Sequence, residues 1–168
     1  MVRAVIQRLV LFHYNNGSRS GTVIEDLTKG YKGYFQCDGF EGYESAFKTR
    51  PDVLIVNCMA HIRRHFEQAQ KENKEPAEYA LKEIQLLYRI EHDCDDRGLT
   101  MEQRKEERIK KAKPIMEAMR LWMETEGVKY SPNSLIGKAI TYAYTRWYNM
   151  MRYLDDGRIR IDNNLAEN

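Results

Sequence analysis

No apolar run in this chain reaches the length of a membrane-spanning helix, and its N-terminus lacks the pattern of a secretory signal. The reading is a cytoplasmic protein with no membrane partner. Cysteine is scarce: Cys37, Cys58 and Cys94 make an odd number without framework spacing. That excludes a disulfide scaffold and fits thiols kept reduced in a cytosol. Net charge is almost absent, since 27 Lys and Arg face 25 Asp and Glu. Bulk charge therefore argues neither for nor against nucleic acid, and any such footprint must come from local patches. Internal repeats and low-complexity tracts are missing. One gap is local and chemical: residues 1–14 hold no Asp and no Glu. Chemistry that needs carboxylates draws none from that stretch.

The 168 residues suit one domain, or one domain with an insertion. Residues 4–14 are rich in Val, Leu and aromatics and read as a strand, or as two strands meeting near Gln7 and Arg8. Asn15-Asn16-Gly17 marks a turn, and Ser18 or Ser20 can cap a short helix that ends at Gly30. Tyr34, Phe35 and Cys37 then form a short strand that runs straight into Asp38 and the breakers Gly39 and Gly42. A helix follows from Glu41. The continuous run Val53-Leu54-Ile55-Val56 reads as a strand covered on both faces. Strand, helix, strand over so short a span implies a parallel βαβ unit. Asp38 then has two readings. Before Gly39 it can be a turn or cap residue; at a strand end it can point into the cleft where open α/β sheets bind ligands.

Residues 58–66 leave the second strand and enter a helix. Cys58 and His61 have half of a zinc-site spacing, but no second pair matches it. Arg63 and Arg64 can grip phosphates or simply face solvent. From Lys71 to Glu126 charge rises and β-formers thin out. Ala77, Leu81, Ile84 and Tyr88 predict an amphipathic helix to about Glu91, and residues 92–98 read as a polar loop. Thr100 with Gln103 predicts a capping box. Ile109, Ala112, Met116, Met119 and Trp122 form one apolar stripe, and Pro114 is a candidate kink. The basic residues from Arg104 to Lys113, Arg108 among them, read as a solvated face stitched by ion pairs. Ser131 and Pro132 predict the start of a last long helix, whose buried face runs from Ile136 through Trp147 to Leu154. Its tyrosines read as packing residues. Residues 155–157 form a turn, residues 158–161 an extended segment, and Asp162-Asn163-Asn164 the cap of a helix starting at Leu165.

Three separated stretches resemble the motifs of one family. Gln36-Cys37-Asp38-Gly39-Phe40-Glu41-Gly42-Tyr43 is similar to Q-x-D-G-[YF]-x-G-Y. Residues 58–66 are similar to C-x-A-H-x-R-R-x-F. Gly157, with Ile161-Asp162-Asn163-Asn164-Leu165-Ala166-Glu167, is similar to D-G-x-x-x-I-D-N-N-x-A-E-R. The family is the insertion sequence 66 group of bacterial transposases, within the DDE transposases, and the resemblance covers essentially the whole chain.

The resemblance implies an α/β fold: a ribonuclease-H-like mixed sheet core over residues 1–66 and 127–168, incomplete here, with an all-helical insertion over residues 67–126. It also implies two-metal phosphodiester cleavage and strand transfer in DNA transposition. Three carboxylates would hold two Mg²⁺ or Mn²⁺ ions roughly 3.5–4 Å apart. Hard cations need oxygen ligands, which is why Asp and Glu carry the site. Carried over, Asp38 is the second carboxylate and Glu167 the third, with Asp162 in a capping or orienting role. Cys58, His61, Asn163 and Asn164 support the motifs, and Arg63 and Arg64 would contact DNA. DNA is the implied partner, at the transposon ends and at the target, with homo-oligomerisation left open. Two departures stand out. The family's first Asp has no counterpart in residues 1–14, and its Arg after the Glu is Asn168 here. The expectation is an internal piece of a transposase, inactive alone. The alternatives are a catalytically dead remnant that binds DNA or protein, and a generic metal-dependent nuclease of the same fold.

Overall fold

The computed structural model describes residues 2–4, 9–11 and 21–164. Strands β1 (Val2–Ala4) and β2 (Leu9–Leu11) pair antiparallel, with Val2 opposite Leu11. The two-strand reading of the N-terminal run is thus the one adopted. The expected turn at residues 15–17, the caps Ser18 and Ser20, and the helix from Leu165 lie outside the described residues.

Helix α1 (Gly21–Leu27) leads to β3 (Gly33–Cys37), α2 (Glu41–Phe47) and β4 (Val53–Asn57). Strands β3 and β4 pair in parallel, from Gly33 opposite Val53 to Cys37 opposite Asn57. This is the expected βαβ unit. Each face of β4 meets a different core. Val53 and Ile55 join Cys37 and Phe47 in a small cluster under α1 and α2, whereas Val56 joins the main core. The cover has a gap at Leu54, which remains 36% exposed.

Helices α3 (Met59–Ala69), α4 (Lys74–Asp96), α5 (Met101–Glu107), α6 (Lys113–Glu126) and α7 (Leu135–Met151) follow. Phe66 of α3, Ile84 of α4, Met116 of α6 and Trp147 of α7 are buried together in the main core. The Trp147 indole Nε1 donates to the Met116 carbonyl at 3.1 Å, so the largest buried side chain keeps its polar atom satisfied. The α/β class is therefore present, as a two-stranded parallel sheet backed by a layer of helices.

Four local expectations are corrected. Residues 92–96 are the last turn of α4, not a loop. Cys94 is buried there, and Asp93 accepts from Arg97 one helical turn on at 2.9 Å. The cap of α7 is Ser134, whose Oγ accepts the Gly137 N–H at 3.1 Å. Ser131 instead closes a turn, its carbonyl accepting the Ser134 N–H. Pro114 lies in the first turn of α6, and the irregularity precedes it as a π-turn over Arg108–Ala112. That turn carries Ile109 out to solvent and buries Arg108, so neither follows the pattern read from the sequence. The capping box of Thr100 and Gln103 forms as expected.

Candidate functional site at the strand ends

The apolar residues of β3 stop at Cys37, and the next residue, Asp38, emerges at the carboxyl end of the parallel pair. Its Oδ1 accepts the Phe40 N–H at 3.1 Å, an Asx turn that orients the carboxylate. The backbone here is held from outside. Tyr142 of α7 donates its hydroxyl to the Asp38 carbonyl at 2.8 Å. Arg146, one turn further along α7, donates to the Gly39 carbonyl from Nε at 3.1 Å and from Nη2 at 2.9 Å. The Arg146 guanidinium also lies over the Tyr142 ring at 4.0 Å, and His65 of α3 stacks on that ring at 3.9 Å. Burial, then the Arg146 charge, hold the His65 imidazole below its ordinary pKa, so it stacks as the neutral ring.

Gly39 shows why this turn needs glycine. Its φ is +81°, and a Cβ there would lie 2.6 Å from Arg146 Nε and 3.1 Å from the Tyr142 hydroxyl. Both the backbone conformation and the clamp exclude a side chain.

Residues 58–66 place Cys58 at the N-cap of α3, buried. Burial raises its thiol pKa, although backbone N–H groups of Asn163, His61 and Ala60 favour the thiolate. Its Sγ accepts the Asn163 N–H at 3.5 Å. Burial pushes the neighbouring Cys37 thiol up to about 12. Both sulfurs are thus packing groups kept protonated, not poised nucleophiles. His61 is half-buried on α3. Arg63 and Arg64 are exposed on the same helix. Arg63 pairs with Glu67 at 3.0 Å and, with Lys82, Arg89 and His92, lines an open cleft of about 650 Å³ between α3 and α4.

The third motif returns to this same end of the sheet. The Met59 N–H, at the start of α3, donates to the Ile161 carbonyl at 3.0 Å. Gln36 of β3 donates to the Arg160 carbonyl at 2.8 Å. Both carboxylate oxygens of Asp162 are engaged: Oδ2 by the Tyr88 hydroxyl at 2.8 Å and Oδ1 by the Asn164 N–H at 3.1 Å. Glu167 lies outside the described residues. Among the described residues no three His, Cys, Asp or Glu side chains are grouped as a metal site.

The residues that sequence reasoning missed are Tyr142, Arg146, Tyr88 and Arg108. Tyr142 and Arg146 carry a faint signal in their one-turn spacing. Tyr88 and Arg108 carry none, because Asp162 lies 74 positions from Tyr88 and the carbonyls that Arg108 holds lie 45–51 positions away along the chain.

Three proteins of Sinorhizobium fredii (strain NBRC 101917 / NGR234) are similar. Uncharacterized protein y4hP is 30% identical over 92% of this chain and 31% of its own length. Uncharacterized protein y4jD is 29% identical over 89% of this chain and 30% of its own length. Uncharacterized protein y4qI is 31% identical over 95% of this chain and 30% of its own length. The chain thus spans about a third of the length of these curated relatives. No solved structure matches it. Among the described residues no helix is long and apolar enough to cross a membrane. The model of one family matches residues 2–168, nearly end to end, and the chain belongs to that family, the Transposase IS66 family.

Proposed function

We propose that this chain is part of the catalytic core of a DDE transposase, of ribonuclease-H-like fold, acting on DNA phosphodiesters in transposition. The observation that carries this reading is the docking of Ile161 on the Met59 N–H, which brings the third motif to the strand end that holds Asp38.

The donor set fits a hard divalent cation in part. Asp38 is half-buried, its backbone is clamped, and its Oδ1 accepts the Phe40 N–H. Oxygen donors on a rigid strand end suit Mg²⁺ or Mn²⁺. Asp38 and Glu167 would hold the ions, and Asp162, with both oxygens engaged, would orient the segment between them. When bound, the ion pair supplies activation of the attacking oxygen and stabilisation of the leaving oxygen. Tyr142 and Arg146 keep the Asp38 turn from moving as the substrate arrives. Arg63 and Arg64, exposed on α3, would contact DNA phosphates. A third carboxylate has to come from outside residues 1–14, which hold none. This chain alone is therefore expected to bind cation without turning over DNA.

The test is Mn²⁺ titration of the chain and of Asp38→Asn by calorimetry. Binding in the parent that is lost in the variant is the expected result. No binding in either would remove the metal site and leave a remnant that at most binds DNA or protein.

A further inference from the structure

The helical segment between the second and third motifs touches the third motif at three independent points. The first is steric. A Cβ on the motif residue Gly157 would collide with the backbone carbonyl of Met101, at the start of α5. The second is a buried ion pair with extra bonds. Arg108, 1% exposed, donates to Glu91 of α4 from Nε at 2.8 Å and from Nη2 at 2.7 Å. Its remaining donors reach the carbonyls of Tyr153 at 2.7 Å, Asp156 at 3.0 Å and Ile159 at 2.8 Å. One guanidinium thereby holds three backbone carbonyls at the start of the motif and just before it. The third is the Tyr88 hydroxyl on Asp162. A buried charged pair is a poor source of stability, because desolvation offsets the Coulomb gain. A bidentate Arg aimed at three backbone carbonyls sets position instead.

We propose that the helical segment is a clamp for the third motif around Asp162, with Arg108 and Tyr88 as its positioning residues. The clamp rests on the reading of Glu167 as a metal ligand only for its consequence, not for its existence. Residues 153–159 are held at one end by Arg108, and Asp162 at the other by Tyr88. The docking bonds of Ile161 and Asn163 on α3 lie within and just beyond that span. Releasing either end loosens the segment around Asp162 without touching Asp38.

The experiment uses two variants of the whole chain. Tyr88→Phe removes one hydroxyl and keeps the ring. Arg108→Met with Glu91→Gln removes the buried pair together, and Arg104, which also donates to Glu91 at 3.0 Å, keeps its second partner Asp95. Amide hydrogen exchange is read at Asn163 and Asn164, with α3 and α7 amides as internal reference, and Mn²⁺ affinity is read by calorimetry. The expected result is exchange about tenfold faster at Asn163 and Asn164, unchanged protection in α7, and Mn²⁺ affinity about tenfold weaker, as for other residues that orient metal ligands. Unchanged exchange at both amides in Tyr88→Phe overturns the clamp, whether or not the double variant folds. Faster exchange with undiminished Mn²⁺ affinity overturns the positioning role. A parent chain that binds no Mn²⁺ overturns the metal reading instead, and the exchange result still decides the clamp.

Discussion

Asp38 and Gly39 show how much a single residue pair depends on its surroundings. The Asp-Gly pair alone describes a turn. What makes the turn a rigid platform is the grip of Tyr142 and Arg146 on its two carbonyls. Gly39→Ala has to enter a left-handed conformation and push aside Arg146, whose Nε is already bonded to the same residue. A non-glycine residue in that conformation costs roughly 1–2 kcal/mol before any clash. The variant is expected to lose about 2 kcal/mol or more in urea denaturation, and a loss below about 0.5 kcal/mol would show that the turn is not clamped. The sequence exposed this glycine as a breaker and a motif member. It could not expose Arg146, because the contact joins residues 107 positions apart.

At the scale of elements, α3 and α7 meet through the stack of His65 on Tyr142, beside the turn they support. Burial, Arg146, His61 and Arg64 all favour the neutral imidazole of His65, so its folded pKa lies below the ordinary 6.5. The unfolded chain then takes up the proton first as pH falls. The stability contributed by this contact is complete above about pH 6.5 and declines as the pH drops from there toward the folded value. The urea midpoint of the parent is expected to fall between about pH 7.5 and 5.5, with a shallower fall in His65→Phe, which keeps a ring on Tyr142. Equal slopes in the two proteins would place the titration elsewhere. Element boundaries were legible where one local signal acted alone, as at Thr100 and Gln103. They were misread where two competed. Ser131 followed by Pro132 matches a helix start, yet Ser134 wins because the preceding turn consumes the Ser131 groups. The aspartates after Glu91 look like a loop, yet the buried Cys94 and the Asp93–Arg97 pair carry α4 onward.

For the molecule as a whole, the helices from residues 67–126 share their core with α3 and α7. Phe66, Ile84, Met116 and Trp147 are all fully or almost fully buried in it. Such a core is expected to unfold as one unit. Indole fluorescence and far-ultraviolet circular dichroism should give coincident urea transitions. Two separated transitions would mark the helical segment as an independent body.

The sequence by itself determined the βαβ order, the amphipathic faces of α4 and α7, the glycine after Asp38 and the three motifs that point to the Transposase IS66 family. Each of these is written in spacing over a few residues, where backbone geometry acts directly. Only the tertiary structure decided that Ile161 docks on Met59, that Tyr142 and Arg146 hold the Asp38 turn, and that Arg108 is buried and not solvated. Those contacts depend on which helix faces which strand end. That is settled by packing the whole core, and no local pattern of charge or hydropathy encodes it.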